Sequence, residues 1–228
     1  MNGIFARAKE ENRSILTEIE AKQIFSQAGI NCIDTRLART KEEAVNLSEE
    51  IGYPVVLKVS SVDITHKSDA GGVKVNLEDR DAVEMAFDDI LVSSREKYPG
   101  ADVEGISVQG MAKPGLEIII GMTKDPQFGP VLMFGLGGIM VEVLKDVAFR
   151  TIPLDRNDAS NMIRSIKGYK MLQGNRGQDP VDTGYLEDLI VKLSELIEKT
   201  PEIKELDMNP VFAYKDGAVV ADARIVLE

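Results

Sequence analysis

The sequence has one cysteine, one histidine and no long apolar run. A lone cysteine, Cys32, excludes an internal disulfide and a multi-cysteine zinc site, so the chain reads as intracellular. Cys32 lies in an apolar stretch and reads as core rather than nucleophile. A lone histidine, His66, excludes multi-histidine metal centres, and no Ser/His/Asp hydrolase elbow is present. No apolar segment approaches the ~18 residues that span a bilayer, and the polar, charged start Met1–Ser14 does not read as a signal peptide. Repeats and low-complexity tracts are also absent. Positive charge is scarce: 27 Lys and Arg stand against 38 Asp and Glu, a formal net charge of -11. That field repels nucleic acid and anionic membrane, so neither is expected as a partner. An anionic substrate would need its own lysines, arginines, backbone amides or divalent cation. A cytoplasmic protein is expected.

What is present is an ordinary globular balance, 43% hydrophobic and 29% charged over 228 residues, enough for one large domain or two lobes. Residues 1–13 read as an exposed arm. Thr17 opens a helix with Glu20 three residues on, the capping-box spacing. A short strand is expected at Ile30–Ile33, a helix at Lys41–Ile51, strands at Val55–Ser60 and Gly72–Leu77, and a helix at Asp79–Lys97. The second half reads as a larger antiparallel sheet with helices. Its strands are expected at Ile106–Met111, Leu116–Thr123, Pro130–Phe134, Ile139–Leu144 and Thr151–Leu154. Helices follow at Arg156–Ile166 and Gly184–Lys199, around a loop at Lys167–Asp182. Glu205–Tyr214 and Ala218–Leu227 then form a hairpin about Lys215-Asp216-Gly217. The fold class is α/β (α+β). The smaller lobe is expected at about 18–108 and the larger at about 109–228, with the N-terminal arm 1–17 packing on the larger.

Three places carry chemistry. Asp63–Val73 holds His66, with Thr65 before it, Lys67 after it and Gly71-Gly72 closing the segment. This is either a phosphate-handling loop or a surface loop with an incidental histidine. In Glu205-Leu206-Asp207-Met208-Asn209-Pro210, strand alternation puts Asp207 and Asn209 on one face, and the hairpin returns Asp222 to within a residue or two of Asn209. Three converging oxygen donors suit Mg²⁺, which takes a few carboxylate or amide oxygens plus phosphates; the alternative is an exposed polar face of an edge hairpin. Lys58, among apolar strand neighbours, either snorkels at an edge or aims a cation at phosphate. Arg150 is a further cation entering a strand. Gly135–Gly138 offers backbone amides to phosphate but has neither a P-loop lysine nor a dinucleotide fingerprint. Two lobes, a strand lysine in one and a carboxylate/amide cluster in the other describe a nucleotide cleft.

At this point the sequence is similar to a known family. Leu16-Thr17-Glu18 with Ala21, Tyr53 to Lys58, His66 to Val73, Phe134 to Gly138 and Glu205 to Pro210 run in order. They resemble the β subunit of the ADP-forming acetate–CoA ligases, within the acyl-CoA synthetase superfamily that includes succinyl-CoA synthetase. The resemblance covers essentially the whole chain. It implies an ATP-grasp fold whose two lobes enclose a nucleotide cleft, with Mg²⁺ as cofactor and ATP/ADP as substrate. By motif position it implies that Lys58 contacts phosphate and that Gln109-Gly110-Met111 is the hinge whose backbone meets adenine. Glu117 is then a nucleotide-binding residue, and Asn209 and Asp222 are Mg²⁺ ligands. Asp207 lies near an incoming phosphohistidine, and His66 relays the phosphoryl group to ADP. Lys67 would offset charge, and Gly71-Gly72 would let the loop move or its amides approach phosphate. The implied reaction is that of an acid–thiol ligase, acyl-CoA, ADP and phosphate giving acid, ATP and CoA reversibly. The implied partner is an α subunit carrying the CoA-binding domain and the phosphorylated histidine, in an αβ or α₂β₂ assembly. The alternatives are another ATP-grasp ligase that makes an acyl phosphate directly from ATP without a partner subunit, and a catalytically reduced nucleotide-sensing module.

Overall fold

The computed structural model describes residues 1–64, 66–138, 146–174 and 179–228, with the side chain of Asn2 excepted. Thr65, the strand expected at 139–144 and part of the loop expected at 167–182 lie outside the described residues. In chain order the elements are α1 (Asn2–Glu10), α2 (Glu18–Gln27), β1 (Thr35–Ala38), α3 (Lys41–Ile51), β2 (Val55–Ser60), β3 (Val73–Leu77) and α4 (Arg80–Lys97). There follow β4 (Gly105–Gly110), β5 (Leu116–Asp125), β6 (Gly129–Leu136), β7 (Val147–Thr151), α5 (Arg156–Ser165), α6 (Tyr169–Leu172) and α7 (Thr183–Lys199). The chain ends in β8 (Ile203–Tyr214), β9 (Gly217–Val220) and β10 (Ala223–Leu227). Two compact units result: Met1–Cys32 with Lys113–Glu228, and Ile33–Ala112.

The larger unit is built on an antiparallel sheet of order β10-β8-β5-β6-β7, with β9 added to β8. Alternation along β8 buries Leu206, Met208, Val211 and Ala213 and leaves their neighbours half-buried or exposed. The helices cover that buried face. Leu186, Leu189, Ile190, Leu193, Leu196 and Ile197 of α7 recur at helical spacing and all enter the core. Burying each such leucine or isoleucine contributes about 1.5–3 kcal/mol. The smaller unit carries a sheet of order β1-β4-β2-β3, with α3 and α4 against Val55, Leu57, Val59, Ile106 and Val108.

Four expectations need correction. The N-terminal segment is a helix rather than an exposed arm, because Ile4, Phe5 and Ala8 form an apolar stripe that packs on the larger unit's core. Helix α2 belongs to the larger unit, not to a lobe beginning at residue 18: its Ala21, Ile24 and Phe25 are fully buried in that unit's core, and α2 packs on β10. No strand forms at Ile30–Ile33, where Cys32 makes a single bridge to Val220; Ile30 turns inward, its amide donating to the Phe25 carbonyl (3.0 Å). The strand expected at Thr151–Leu154 lies earlier, at Val147–Thr151, since Pro153 has no amide to continue a ladder.

The capping box at Thr17 is present and extended by an arginine. Glu20 accepts from the Thr17 amide (2.9 Å) and from Arg13 Nη1 and Nη2 (3.0 and 2.9 Å). Burial alone would raise the Glu20 carboxyl, but the Arg13 hydrogen bonds and charge and the Thr17 contacts outweigh it and hold it below its ordinary 4.5. A carboxyl depressed in the folded state adds stability that is complete above the unfolded-state value and is lost as pH falls through the folded one. Stability is therefore expected to decline in acid below about pH 4.5. The Arg13→Ala variant should show a shallower decline. Denaturation midpoints measured from about pH 6 to about pH 3 check both.

Candidate active site

The larger unit brings three of the sequence-predicted residues together. β8 runs past two partners, pairing with β10 through Ile203–Met208 and with β9 through Val211–Tyr214. Between them β9 and β10 are interrupted at Ala221 and Asp222, and Asn209 and Pro210 face that break. The Asn209 amide donates to the Asp222 carbonyl (3.2 Å) and the Ala221 amide to the Pro210 carbonyl (3.0 Å). The Ala223 amide donates to Asp222 Oδ1 (2.8 Å), which orients the carboxylate. Asp207 lies two residues before Asn209 on β8, opposite Arg224 of β10 and Gly121 of β5. A Cβ at Gly121 would stand 3.5 Å from Asp207 Oδ1, an ordinary contact, so the two positions are direct neighbours across the ladder. Burial and the nearby Asp222 carboxylate push Asp207 up to about 6, against the opposing pull of Arg224.

These donors fit a hard divalent cation. Asp207 is raised partly by a like charge, a repulsion that a bound cation relieves. Among the described residues no group of three or more His, Cys, Asp and Glu gathers. The cluster of Asn209, Asp222 and neighbouring Asp207 is thus a small oxygen set of the kind Mg²⁺ completes with water and phosphate oxygens. Beside it, a cavity of about 260 Å³ is lined by Thr123, Glu205, Asp207, Arg224 and Val226 among others.

The smaller unit holds the other candidates on its own sheet. Lys58 on β2 stands opposite Ser107 of β4, and Gln109 stands opposite Val56 and Thr35. Alternation therefore puts Lys58, Ser107, Gln109 and Thr35 on the face opposite the apolar core, and all four are buried. The Thr35 hydroxyl reaches Gln109 Oε1 (3.2 Å). Gly110 pairs with Val55 at the strand end, and Met111 follows with its amide on the Pro54 carbonyl (3.1 Å) and its side chain exposed.

His66 is exposed, on a tight turn between β2 and β3. The Ala70 amide donates to the His66 carbonyl (3.2 Å) and the Gly72 amide to the Lys67 carbonyl (2.8 Å). Lys97 Nζ reaches the Asp69 carbonyl (2.6 Å), and buried Ile64 and Ala70 anchor the segment on either side. The glycine pair has a structural task here. Gly71 adopts φ +69, and a Cβ at Gly72 would stand 2.5 Å from Val59 Cγ1.

Glu117, at the start of β5, is exposed and lies opposite Phe212, four residues along the strand from Gly121. Its carbonyl accepts from the Gly137 amide (2.7 Å), and a Cβ at Gly138 would come within 2.8 Å of Glu117 Oε2. The glycines at 137 and 138 therefore pack against Glu117.

A family model described as the ATP-grasp domain matches residues 7–227. The chain belongs to the ATP-grasp family. Within it, the chain is 51% identical over 224 residues to the β subunit of acetate–CoA ligase (ADP-forming) I of Pyrococcus furiosus, covering 98% of this chain and 96% of that one. It superposes with a TM-score of 0.97 and 48% identity on acetyl-coenzyme A synthetase 1 of Ca. Korarchaeum cryptofilum, solved with coenzyme A and Ca-AMPCP, covering 100% of this chain and 99% of that chain. A second structure of that synthetase contains coenzyme A and Mg-AMPPCP, with its phosphohistidine segment pointing towards the nucleotide binding site. It matches with a TM-score of 0.87 and 45% identity over 100% of this chain and 99% of that chain. The ATP-grasp fold and the family expected from the sequence are both borne out.

Three residues of this ATP-grasp chain were passed over in the sequence. Arg224 faces Asp207 and was readable as the cation alternating with buried Ala223 and Ile225. Asp146, buried, accepts from the Lys167 and Gly168 amides (2.8 and 2.6 Å) and ties β7 to the start of α6. Lys22 had no sequence signal beyond a charge on the buried side of α2.

Proposed function

We propose that this chain is the nucleotide-binding β subunit of an ADP-forming acyl-CoA synthetase. It works in the cytoplasm with an α subunit that carries the CoA-binding domain and a phosphorylated histidine. Together they convert acyl-CoA, ADP and phosphate reversibly into carboxylic acid, ATP and CoA, with acetate or a similar acid. The observation that carries the reading is the Asp207, Asn209 and Asp222 cluster, in a chain alike from end to end to such β subunits.

Each residue then has a task. Asn209 and Asp222 hold Mg²⁺, which when bound neutralises charge on the phosphate oxygens of the nucleotide. Asp207 accepts a hydrogen bond from the ring of the arriving phosphohistidine and orients it. The His66 imidazole attacks the phosphorus; the P–N bond to the α-subunit histidine breaks as the new one forms. The β-phosphate oxygen of ADP then attacks the same phosphorus and the His66 nitrogen leaves, giving ATP. Lys58 offsets charge on the transferring group, with Gln109, Gly110, Met111 and Glu117 placing the nucleotide.

Co-purification and reconstitution with the candidate α subunit tests this. Acyl-CoA-dependent ATP formation from ADP and phosphate is expected from the pair and not from either chain alone. A chain that binds ADP and associates with no CoA-binding subunit would instead be the nucleotide-sensing module. Acid-dependent ADP release from ATP by this chain alone would make it a ligase that forms acyl phosphate without a partner.

A further inference from the structure

We propose that the Glu18–Lys22 ion pair of α2 is a positioning element for the cation site, holding the β9–β10 break so that the Asp222 carboxylate points at the cation. This rests on the reading of Asp222 as a cation ligand. The two side chains are each 5% exposed and lie 2.8 Å apart, one helical turn from each other. Lys22 Nζ also donates to the Ala221 carbonyl at 2.8 Å, across 199 residues of sequence.

Ala21, Ile24 and Phe25 already bury the apolar face of the helix. A buried ion pair seldom adds stability over apolar residues of the same volume, because desolvation offsets the attraction. Through the Lys22 bond to the Ala221 carbonyl, the pair holds a peptide plane. The Ala221 carbonyl and the Asp222 amide belong to the same rigid unit, so fixing the oxygen fixes the plane from which Asp222 departs. The break has left the β9 and β10 ladders at this point. Two backbone bonds, Ala221 N to Pro210 O and Asn209 N to Asp222 O, tie it on the β8 side. Lys22 adds a hold from the α2 side. Groups one step removed from a metal commonly set ligand orientation in this way.

The test uses the full chain assembled with its α subunit, and Mn²⁺ as a paramagnetic probe read by EPR in the presence of ADP. Lys22→Met alone removes one partner of a buried carboxylate, so the informative variant is the double Glu18→Met/Lys22→Met, apolar and close in volume. Its Mn²⁺ affinity is expected to fall by about tenfold, with metal-free ADP binding and the unfolding midpoint near the parent's. Asp222→Asn is the reference and should fall at least as far. A folded double variant with parental Mn²⁺ affinity, beside a weakened Asp222→Asn, overturns the positioning role and leaves the cation site standing. Parental affinity in Asp222→Asn overturns the cation-ligand reading, and this inference with it. A double variant that no longer unfolds cooperatively also overturns it, by making the pair a requirement of the fold.

Discussion

Replacing His66 by alanine is expected to reduce full turnover by more than about a thousandfold while leaving nucleotide binding and stability essentially unchanged. The imidazole is exposed, so truncation opens no cavity, and the turn that carries it is held by other groups. Buried Ile64 and Ala70, the Gly72 amide on Lys67 and the Lys97 tether to Asp69 all remain. The loss is therefore chemical: no other imidazole exists in the chain to accept the phosphoryl group. Acyl-CoA-dependent ATP formation, measured with the α subunit beside ADP binding by calorimetry, separates the two effects. Unchanged turnover would remove the relay from the mechanism. Asparagine at 66 tests the same point with a polar side chain that cannot carry a phosphoryl group through the cycle.

The second large effect is expected at Lys58. It is 5% exposed on β2, flanked by β3 and β4, a position where strand side chains are ordinarily apolar. The Lys58→Met variant preserves the length of the side chain and removes its charge. Turnover is expected to fall by about 10²–10³, the loss found when one preorganised charge or hydrogen-bond donor is removed from a transition state. The unfolding midpoint, measured beside turnover, separates the loss of the charge from any loss of the fold. Arginine should not restore activity, since a planar guanidinium does not reproduce a compact ammonium in a buried strand position. If Lys58→Met unfolds while its folded fraction turns over normally, Lys58 is a structural residue.

The elements legible in the sequence were those whose signal is local. The α3 and β2 boundaries match their expected ranges because a capping threonine and a Gly-Tyr-Pro break mark them. The hairpin that presents Asp222 to Asn209 was legible from turn residues and strand alternation, and the Asn209 to Asp222 hydrogen bond bears it out. Its interruption at Ala221-Asp222 was not legible, because the run Val219-Val220-Ala221 reads as one strand and only the Asn209-Pro210 segment opposite shows where pairing stops. The sequence identifies α2 as a helix but not the unit that it joins. An amphipathic pattern states that a face will be buried, not against which sheet.

The two glycines after His66 illustrate the same division. Their freedom was legible, and so was the polarity of the loop. That Gly72 is set by the approach of Val59 depends on strands β2 and β3 converging after a twelve-residue excursion. Likewise, the sequence presents Asp207 as one of three converging oxygen donors but not its shifted titration. Only burial beside Asp222 lifts it to about 6.

By itself, then, the sequence determined the fold class, the exclusion of an internal disulfide and of multi-histidine centres, and the residue types that could be offered to phosphate and metal. These follow from composition, periodicity and turn chemistry, which act over a few residues. Tertiary structure decided which elements share a unit, where β9 gives way to β10, and that a lysine near the start of the chain reaches the carbonyl beside Asp222 near its end. Such contacts arise from packing between segments some two hundred residues apart, and no local pattern encodes them.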